Sequence, residues 1–269
     1  MIDYAKIKTS LQNEMQEYAK SKKPNESCGL IVQYAEEYKF IPCDNIAENK
    51  VNNFLIADDV MLKYSDYLVS IFHSHIETST PSVSIQDLKT CDIWGVIGTI
   101  IFFKGNDNDY CSELTFYGTN LRTRKLIERQ YCYNIYDCFK LIQDYYYFEL
   151  GLQLNNIYSN YGWWDKLEHE QSLYLTQYKR LGLEEFNIRE ELQKGDILAM
   201  RLGRCKTINH GVIYLGNNMI LHHLENRLSC IESIGKYSNR IERCFRIKDA
   251  TKYKITRNTE TENSSIVIF

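Results

Sequence analysis

The run Ile71-Phe72-His73-Ser74-His75 ends an apolar stretch with two imidazoles separated by one residue. Side chains alternate along an extended strand, so His73 and His75 share a face and form a ready pair of metal ligands. Asp87 lies three residues after Ser84, beyond a polar turn holding Pro81, and supplies a third ligand from the start of a helix. Two His and one carboxylate around Zn²⁺ leave a tetrahedral position open to water, the arrangement of a catalytic centre rather than a closed structural one. Glu26 precedes the apolar run Gly29-Leu30-Ile31-Val32, where a general base beside that water is wanted. Taken alone, it reads more simply as a solvated loop carboxylate.

A second group lies downstream. Asp137 caps a helix, which puts Cys138 in its first turn, where free backbone N–H groups and the helix dipole favour a thiolate. Without that context any one of the nine Cys is more simply a small buried hydrophobe. Gly195 to Met200, His210 to Gly216 and Met219 to His223 read as successive antiparallel strands, the last two joined by a tight Asn217-Asn218 hairpin. A Cys helix packed on strands bearing His210 and His222 makes a thiol-protease constellation, with His210 as base and His222 as its orienting partner. His223 is the neighbouring competitor, which alternation points to the other face.

The elements that must position these groups follow from periodicity. Ile7, Leu11, Met15 and Tyr18 recur at helical spacing behind a capping Asp3, so a helix is expected from Asp3 to about Lys20. Strands are expected around Gly29 to Val32, Tyr38 to Pro42, Asn53 to Ile56, Tyr67 to Phe72 and Trp94 to Phe103, with helices starting at Asp58 or Asp59 and running past Asp87 to Cys91. This alternation implies a mixed α/β sandwich. Asn106 to Asp109 and Gly118 to Asn120 are turn signals, and Leu121 to Gln130 reads as a charged helical linker. Leu167 to Leu181 carries a further helical pattern. His169 reads as a solvated surface residue, and Trp163-Trp164 as packing rather than a sugar-stacking surface. The segments 1–118 and 119–248 thus form two domains, and 249–269 a polar tail whose final Ile266 to Phe269 either adds an edge strand or is a loosely held end.

At 269 residues two cores are affordable, and 32 basic against 35 acidic residues leave no charge excess that would favour nucleic acid or an anionic membrane surface. Nine Cys with no Cys-x-x-Cys pair support neither a zinc ribbon nor a disulfide framework, so reduced, cytoplasmic synthesis is expected. The first residues hold no apolar signal core, and no run approaches a membrane span. The 21 Tyr and three Pro carry no chemical message.

Glu26 followed by Cys28-Gly29, then His73-Ser74-His75, Ser84 and Asp87, resembles the JAMM (MPN-domain) metalloprotease motif. That resemblance implies that His73, His75 and Asp87 bind Zn²⁺, that Glu26 takes a proton from the metal-activated water, and that Ser84 helps hold the oxyanion. Eleven residues separate His75 from Asp87, one more than is usual in the family, and Ile76 stands where Pro commonly follows. A one-residue loop insertion before Ser84 accommodates the difference. Asp137-Cys138 opening a helix, Gly195-Asp196 before a strand, His210-Gly211-Val212-Ile213-Tyr214-Leu215-Gly216 and Ile220-Leu221-His222 resemble the NlpC/P60 cysteine peptidases. These have a papain-like α+β fold and cleave peptidoglycan stem peptides. The likeness implies Cys138 as nucleophile, His210 as base and His222 as third polar residue, with Phe139-Lys140 where many members have Ser-Gly.

The two motifs in this order, with Gly162-Trp163-Trp164 and Arg227-Leu228-Ser229, resemble the tail tip assembly proteins of lambda-like siphophages over about Pro24 to Lys248. The resemblance implies phage tail tip partners, peptidoglycan as substrate, assembly in the host cytoplasm and later residence in the virion tail tip. A structural tail subunit with both sites vestigial is the alternative from another class. A deubiquitinase-like isopeptidase finds no support in the second domain.

Overall fold

The computed structural model describes residues 2–77, 80–104 and 107–254. It divides into two compact units between Leu121 and Arg122.

The first unit opens with helix α1 (Tyr4–Lys22), capped by Asp3, whose carboxylate accepts from Lys6 N at 2.9 Å; Ile7, Leu11 and Met15 are its buried stripe. Strands β1 (Cys28–Tyr34) and β2 (Glu37–Cys43) pair antiparallel, and β1 also pairs antiparallel with β3 (Leu68–Glu77). Helix α2 (Asp58–Tyr64) precedes β3, and α3 (Ile85–Trp94) carries the chain from β3 to its parallel neighbour β4 (Ile97–Lys104). Strands β5 (Asp107–Cys111) and β6 (Thr115–Tyr117) both pair with β4, giving a six-stranded sheet of order β2-β1-β3-β4-β5 with β6 also on β4. Cys28, Leu30, Val32, Met61 and Ile71 pack on one face, as period-two alternation requires.

The second unit centres on helix α4 (Cys138–Leu150) and a six-stranded antiparallel sheet of order β11-β10-β9-β8-β12-β7. Its strands are β7 (Leu183–Phe186), β8 (Ile197–Met200), β9 (His210–Gly216), β10 (Met219–His222), β11 (Cys230–Ser233) and β12 (Ile241–Ile247). Leu141, Ile142 and Tyr145 of α4 bury against Ile197, Ile213 and Phe245, while Leu198, Val212, Ile220 and Cys244 form a cluster on alternate strand positions. Asn217 and Asn218 take φ of 50° and 60°, the double left-handed turn that a two-residue hairpin demands. The fold is thus mixed α+β, with two sheets.

Several local expectations are corrected. Asn53 to Ile56 is not a strand: Asn45 bonds Asn53 O and Leu55 N through its side chain, and this replaces a ladder. Trp94 ends α3, and Gly95, at φ 65°, caps it before β4 begins. Of the turn expected at Asn106 to Asp109, Asn106 lies outside the described residues and Asp107 to Asp109 lie in β5. Leu121 to Gln130 is not helical. Glu128 N and Arg129 N donate to Ser229 O and Oγ, and Arg129 pairs with the buried Asp144 at 2.9 Å, so tertiary partners outcompete the intrahelical ones. Leu167 to Leu181 is broken into short helical turns at Ser172 and Gln177. His169 is one-third exposed and stands 3.7 Å from Glu242. The tail residues 255–269, including Ile266 to Phe269, lie outside the described residues.

Candidate active sites

In the first unit, β3 presents His73 and His75 on one face, and Cys28 of β1 lies opposite His73. Ser74, between them, points the other way and ties β3 to β1: its hydroxyl bonds both Ser27 N and Ser27 Oγ. The Nε2 atoms of His73 and His75 are 3.1 Å apart, and Asp87 Oδ2 lies 3.6 and 3.7 Å from them. A tetrahedral ion with bonds of about 2.0–2.1 Å to N and O separates its ligands by roughly 3.4 Å, so the three atoms fit one face of that polyhedron. His75 Nδ1 lies 3.0 Å from the carbonyl of Ser82, which only accepts; the proton is therefore on Nδ1, and Nε2 keeps its lone pair for a metal.

Asp87 is placed by a reciprocal cap. Its carboxylate accepts from Ser84 N at 2.7 Å, and Ser84 Oγ accepts from Asp87 N at 3.1 Å. Burial alone would raise its pKa, but His73, His75 and Ser84 hold it well below the usual carboxylate range. The longer loop between His75 and Asp87 thus leaves the carboxylate beside both imidazoles. Glu26, itself buried, brings Oε1 to 3.4 Å from His75 Nε2. Ser84 uses its oxygen as a cap acceptor, and its O–H remains a donor.

Two residues that sequence reasoning missed complete this site. Phe54 stacks on the His73 ring at 4.7 Å, and Tyr117 Oη lies 3.4 Å from His73 Nδ1. Tyr117 crosses its strand partner Gly98, where an added Cβ would fall 1.9 Å from the ring. Gly98, near the start of the largely apolar strand Ile97 to Phe103, was the available signal.

In the second unit, Asp137 caps α4 through Lys140 N and also accepts from Asn134 N, and Cys138 is the first helical residue. Cys138, His210 and His223 line a cavity of about 400 Å³ together with Tyr131, Trp164 and Glu225. The thiol sulfur lies 3.3 Å from Tyr174 Oη, and Tyr174 passes over Gly211, where a Cβ would meet that ring at 2.7 Å. Tyr174 was also missed; the Gly next to His210 was its only trace. Burial, with the Asp137 carboxylate, pushes the Cys138 thiol up to about 11. Desolvation therefore outweighs the helix N-terminus, and the resting group is a thiol rather than the expected thiolate.

Burial, with the neighbouring His222 and His223, lowers His210 to about 3, so its ring is neutral, and Nε2 has no hydrogen-bond partner among the described residues. The His210 and His222 rings are 5.7 Å apart. His222 does not face the cavity: its Nε2 stands 3.6 Å from both Cys230 Sγ and Glu232 Oε1. His223, set edge-on to Tyr131 at 5.1 Å, is the imidazole on the cavity side. Asp196 of the Gly-Asp pair is structural, held by both nitrogens of the Arg246 fork at 2.7 and 2.8 Å.

Comparison with family models divides the chain into a JAB-like unit followed by an NlpC/P60 unit. Residues 8–110 match the prokaryotic homologs of the JAB domain, and residues 115–246 match the NlpC/P60 family. The chain is a homologue of tail tip assembly protein K. It is 27% identical to that protein of Escherichia phage N15 over 251 residues, 90% of this chain and 94% of the relative. It is 30% identical to tail tip assembly protein K of Escherichia phage lambda over 104 residues, covering 39% of this chain and 49% of the relative. Among solved structures, an NlpC/P60 family protein from Bacillus cereus aligns with 86% of this chain and 66% of its own at 12% identity and a TM-score of 0.32. A Desulfitobacterium hafniense protein solved in solution aligns with 39% of this chain and 84% of its own, at 18% identity and a TM-score of 0.27. Among the described residues no helix is long and apolar enough to cross a membrane.

Proposed function

We propose that the chain is a phage tail tip assembly protein bearing two peptide-hydrolase sites, one dependent on a divalent metal and one on a thiol that acts on peptidoglycan stem peptides. The observation that carries the reading is the convergence of Glu26, His73, His75 and Asp87, from separate segments, on contacts of 3.1–3.7 Å. Nothing in packing alone calls for four polar groups gathered in a buried niche.

His73, His75 and Asp87 would hold the ion. A zinc-class ion supplies Lewis acidity toward a peptide or isopeptide carbonyl and lowers the pKa of water. Glu26, beside His75, accepts the proton of the attacking water and returns it to the leaving amine. Ser84 donates its O–H to the developing oxyanion while its oxygen keeps the cap on Asp87.

In the thiol site Cys138 gives its proton to His210 as sulfur attacks the carbonyl carbon. The amine leaves with that proton, and water then cleaves the thioester. His222 backs the His210 ring edge-on, with centroids 5.7 Å apart, and steadies it by contact rather than through a hydrogen bond. The aromatic lining by Tyr131, Trp163 and Trp164 suits an extended peptide with its polar ends at Glu225 and Arg227. Purified sacculi are the test substrate: wild type and His75→Ala release stem-peptide fragments, and Cys138→Ala does not. Equal release by Cys138→Ala overturns the thiol assignment.

One observation favours a second reading, a tail subunit that works by assembly alone. The partly exposed thiol lies at hydrogen-bond distance from Tyr174 Oη and its pKa is pushed up to about 11, while His210 Nε2 has no partner among the described residues, which disfavours a thiolate–imidazolium pair at rest. That reading predicts normal particle assembly and infection by a Cys138→Ala, His75→Ala double variant.

A further inference from the structure

Strands β10 and β11 gather a second set of metal-ligand atoms, apart from His73, His75 and Asp87. His222 pairs directly with Cys230 across the two strands, and Glu232, two residues along β11, falls on the same face as Cys230. The three donor atoms stand at 3.6 Å (His222 Nε2 to Cys230 Sγ), 3.4 Å (Cys230 Sγ to Glu232 Oε1) and 3.6 Å (His222 Nε2 to Glu232 Oε1). Tetrahedral bonds of about 2.3 Å to sulfur and 2.0–2.2 Å to nitrogen and oxygen put ligand atoms roughly 3.3–3.6 Å apart. The observed triangle is one face of that tetrahedron without any movement of the backbone.

We propose that His222 Nε2, Cys230 Sγ and Glu232 Oε1 form a binding site for a zinc-class divalent cation. The N, S, O donor set suits a borderline-soft ion and disfavours Mg²⁺ or Ca²⁺, which take oxygen ligands. Binding displaces the Cys230 proton to solvent, and the thiolate and carboxylate then balance the charge of the ion. Glu232 divides its oxygens between two tasks: Oε2 is held by Lys236 at 2.5 Å, which leaves Oε1 turned toward His222 and Cys230. Arg227 Nη1 stands 4.0 Å from Oε1, and its side chain, 64% exposed, is free to swing into solvent. Cys230 is partly exposed, so the ion has a path of entry, while His222 is buried. Three protein ligands leave a fourth position for water or a ligand from a partner. Because His222 is also the third polar residue proposed for the thiol site, an ion here shares a ligand with that machinery.

The test is a titration of the full chain with Co²⁺, followed by absorption. A cobalt–thiolate bond gives a near-ultraviolet charge-transfer band, which the sulfur-free site of His73, His75 and Asp87 has no means of producing. The band is expected in wild type and in His75→Ala, and is absent from Cys230→Ser with unchanged far-ultraviolet circular dichroism. Glu232→Gln keeps the band but needs at least tenfold more cobalt to reach half-saturation. No band in wild type, the same band in Cys230→Ser, or an unchanged midpoint in Glu232→Gln would each overturn the proposal.

Discussion

In the first unit the facing atoms of His73, His75 and Asp87 already stand at the separations that ligands of one ion would have, whereas in the second Cys138 touches a tyrosine and His210 Nε2 has no partner among the described residues. The contrast follows from how each is carried. His73 and His75 sit two residues apart on one strand flanked by β1 and β4, so backbone alternation alone aligns them, and a capping box locks Asp87. Cys138 and His210 come from a helix and a strand distant in sequence, so their approach depends on packing and on what fills the cavity. Both sites nevertheless use one device: a tyrosine laid over a strand glycine, Tyr117 over Gly98 and Tyr174 over Gly211.

The largest expected effect separates the two chemistries. Cys138→Ala should lower sacculus hydrolysis by about 10⁴-fold or more, the scale for loss of a nucleophile, while His75→Ala leaves it within a factor of a few. Measured release rates that fall together would merge the two sites into one. Next comes metal. In a Cys230→Ser background, zinc at a hundredfold excess over its Kd should stabilise the protein by about 2.7 kcal/mol in chemical denaturation, and Asp87→Asn should abolish that gain.

The glycine device gives a smaller effect. Gly98→Ala drives a Cβ into the Tyr117 ring and should cost about 1–3 kcal/mol, with zinc affinity reduced because Tyr117 no longer steadies His73. Gly211→Ala meets Tyr174 at a longer distance and should cost less. Urea unfolding of the pair ranks them, and the opposite order breaks the parallel.

The smallest effect is a titration. Burial and Asp137 raise the Cys138 thiol from the usual 9.0 to about 11, so iodoacetamide alkylation should keep accelerating beyond pH 9 and level off near 11. The folded-state value is the higher one, so this thiol favours the fold fully below pH 9, and the contribution is lost as pH rises through 11. Tyr174→Phe removes a hydrogen bond that lowers the thiol and should move the midpoint further up. A midpoint below 9 would restore the thiolate that the helix N-terminus alone suggested.

What the sequence made legible was local chemistry: period two for His73 and His75, Asp87 at a helix start three residues after Ser84, Asp137 before Cys138, and the Asn217-Asn218 hairpin. It was blind where distant partners decided. The segment Leu121 to Gln130 looks helical until Asp144 and Ser229 claim Arg129, and Asn53 to Ile56 looks like a strand until Asn45 takes its backbone groups. Tyr117 and Tyr174 were two among 21 tyrosines with nothing local to mark them. The thiolate expectation failed because helix-terminus electrostatics are readable from sequence and desolvation is not.

Anomalous diffraction at the zinc edge, from crystals of the full chain grown with zinc, tests the central claim most directly. The account predicts a peak bonded to Nε2 of His73, Nε2 of His75 and Oδ2 of Asp87, with Glu26 beside it but not bound to it. No peak at those three atoms under saturating zinc, or one that recruits Glu26 as a ligand in place of Asp87, would contradict it.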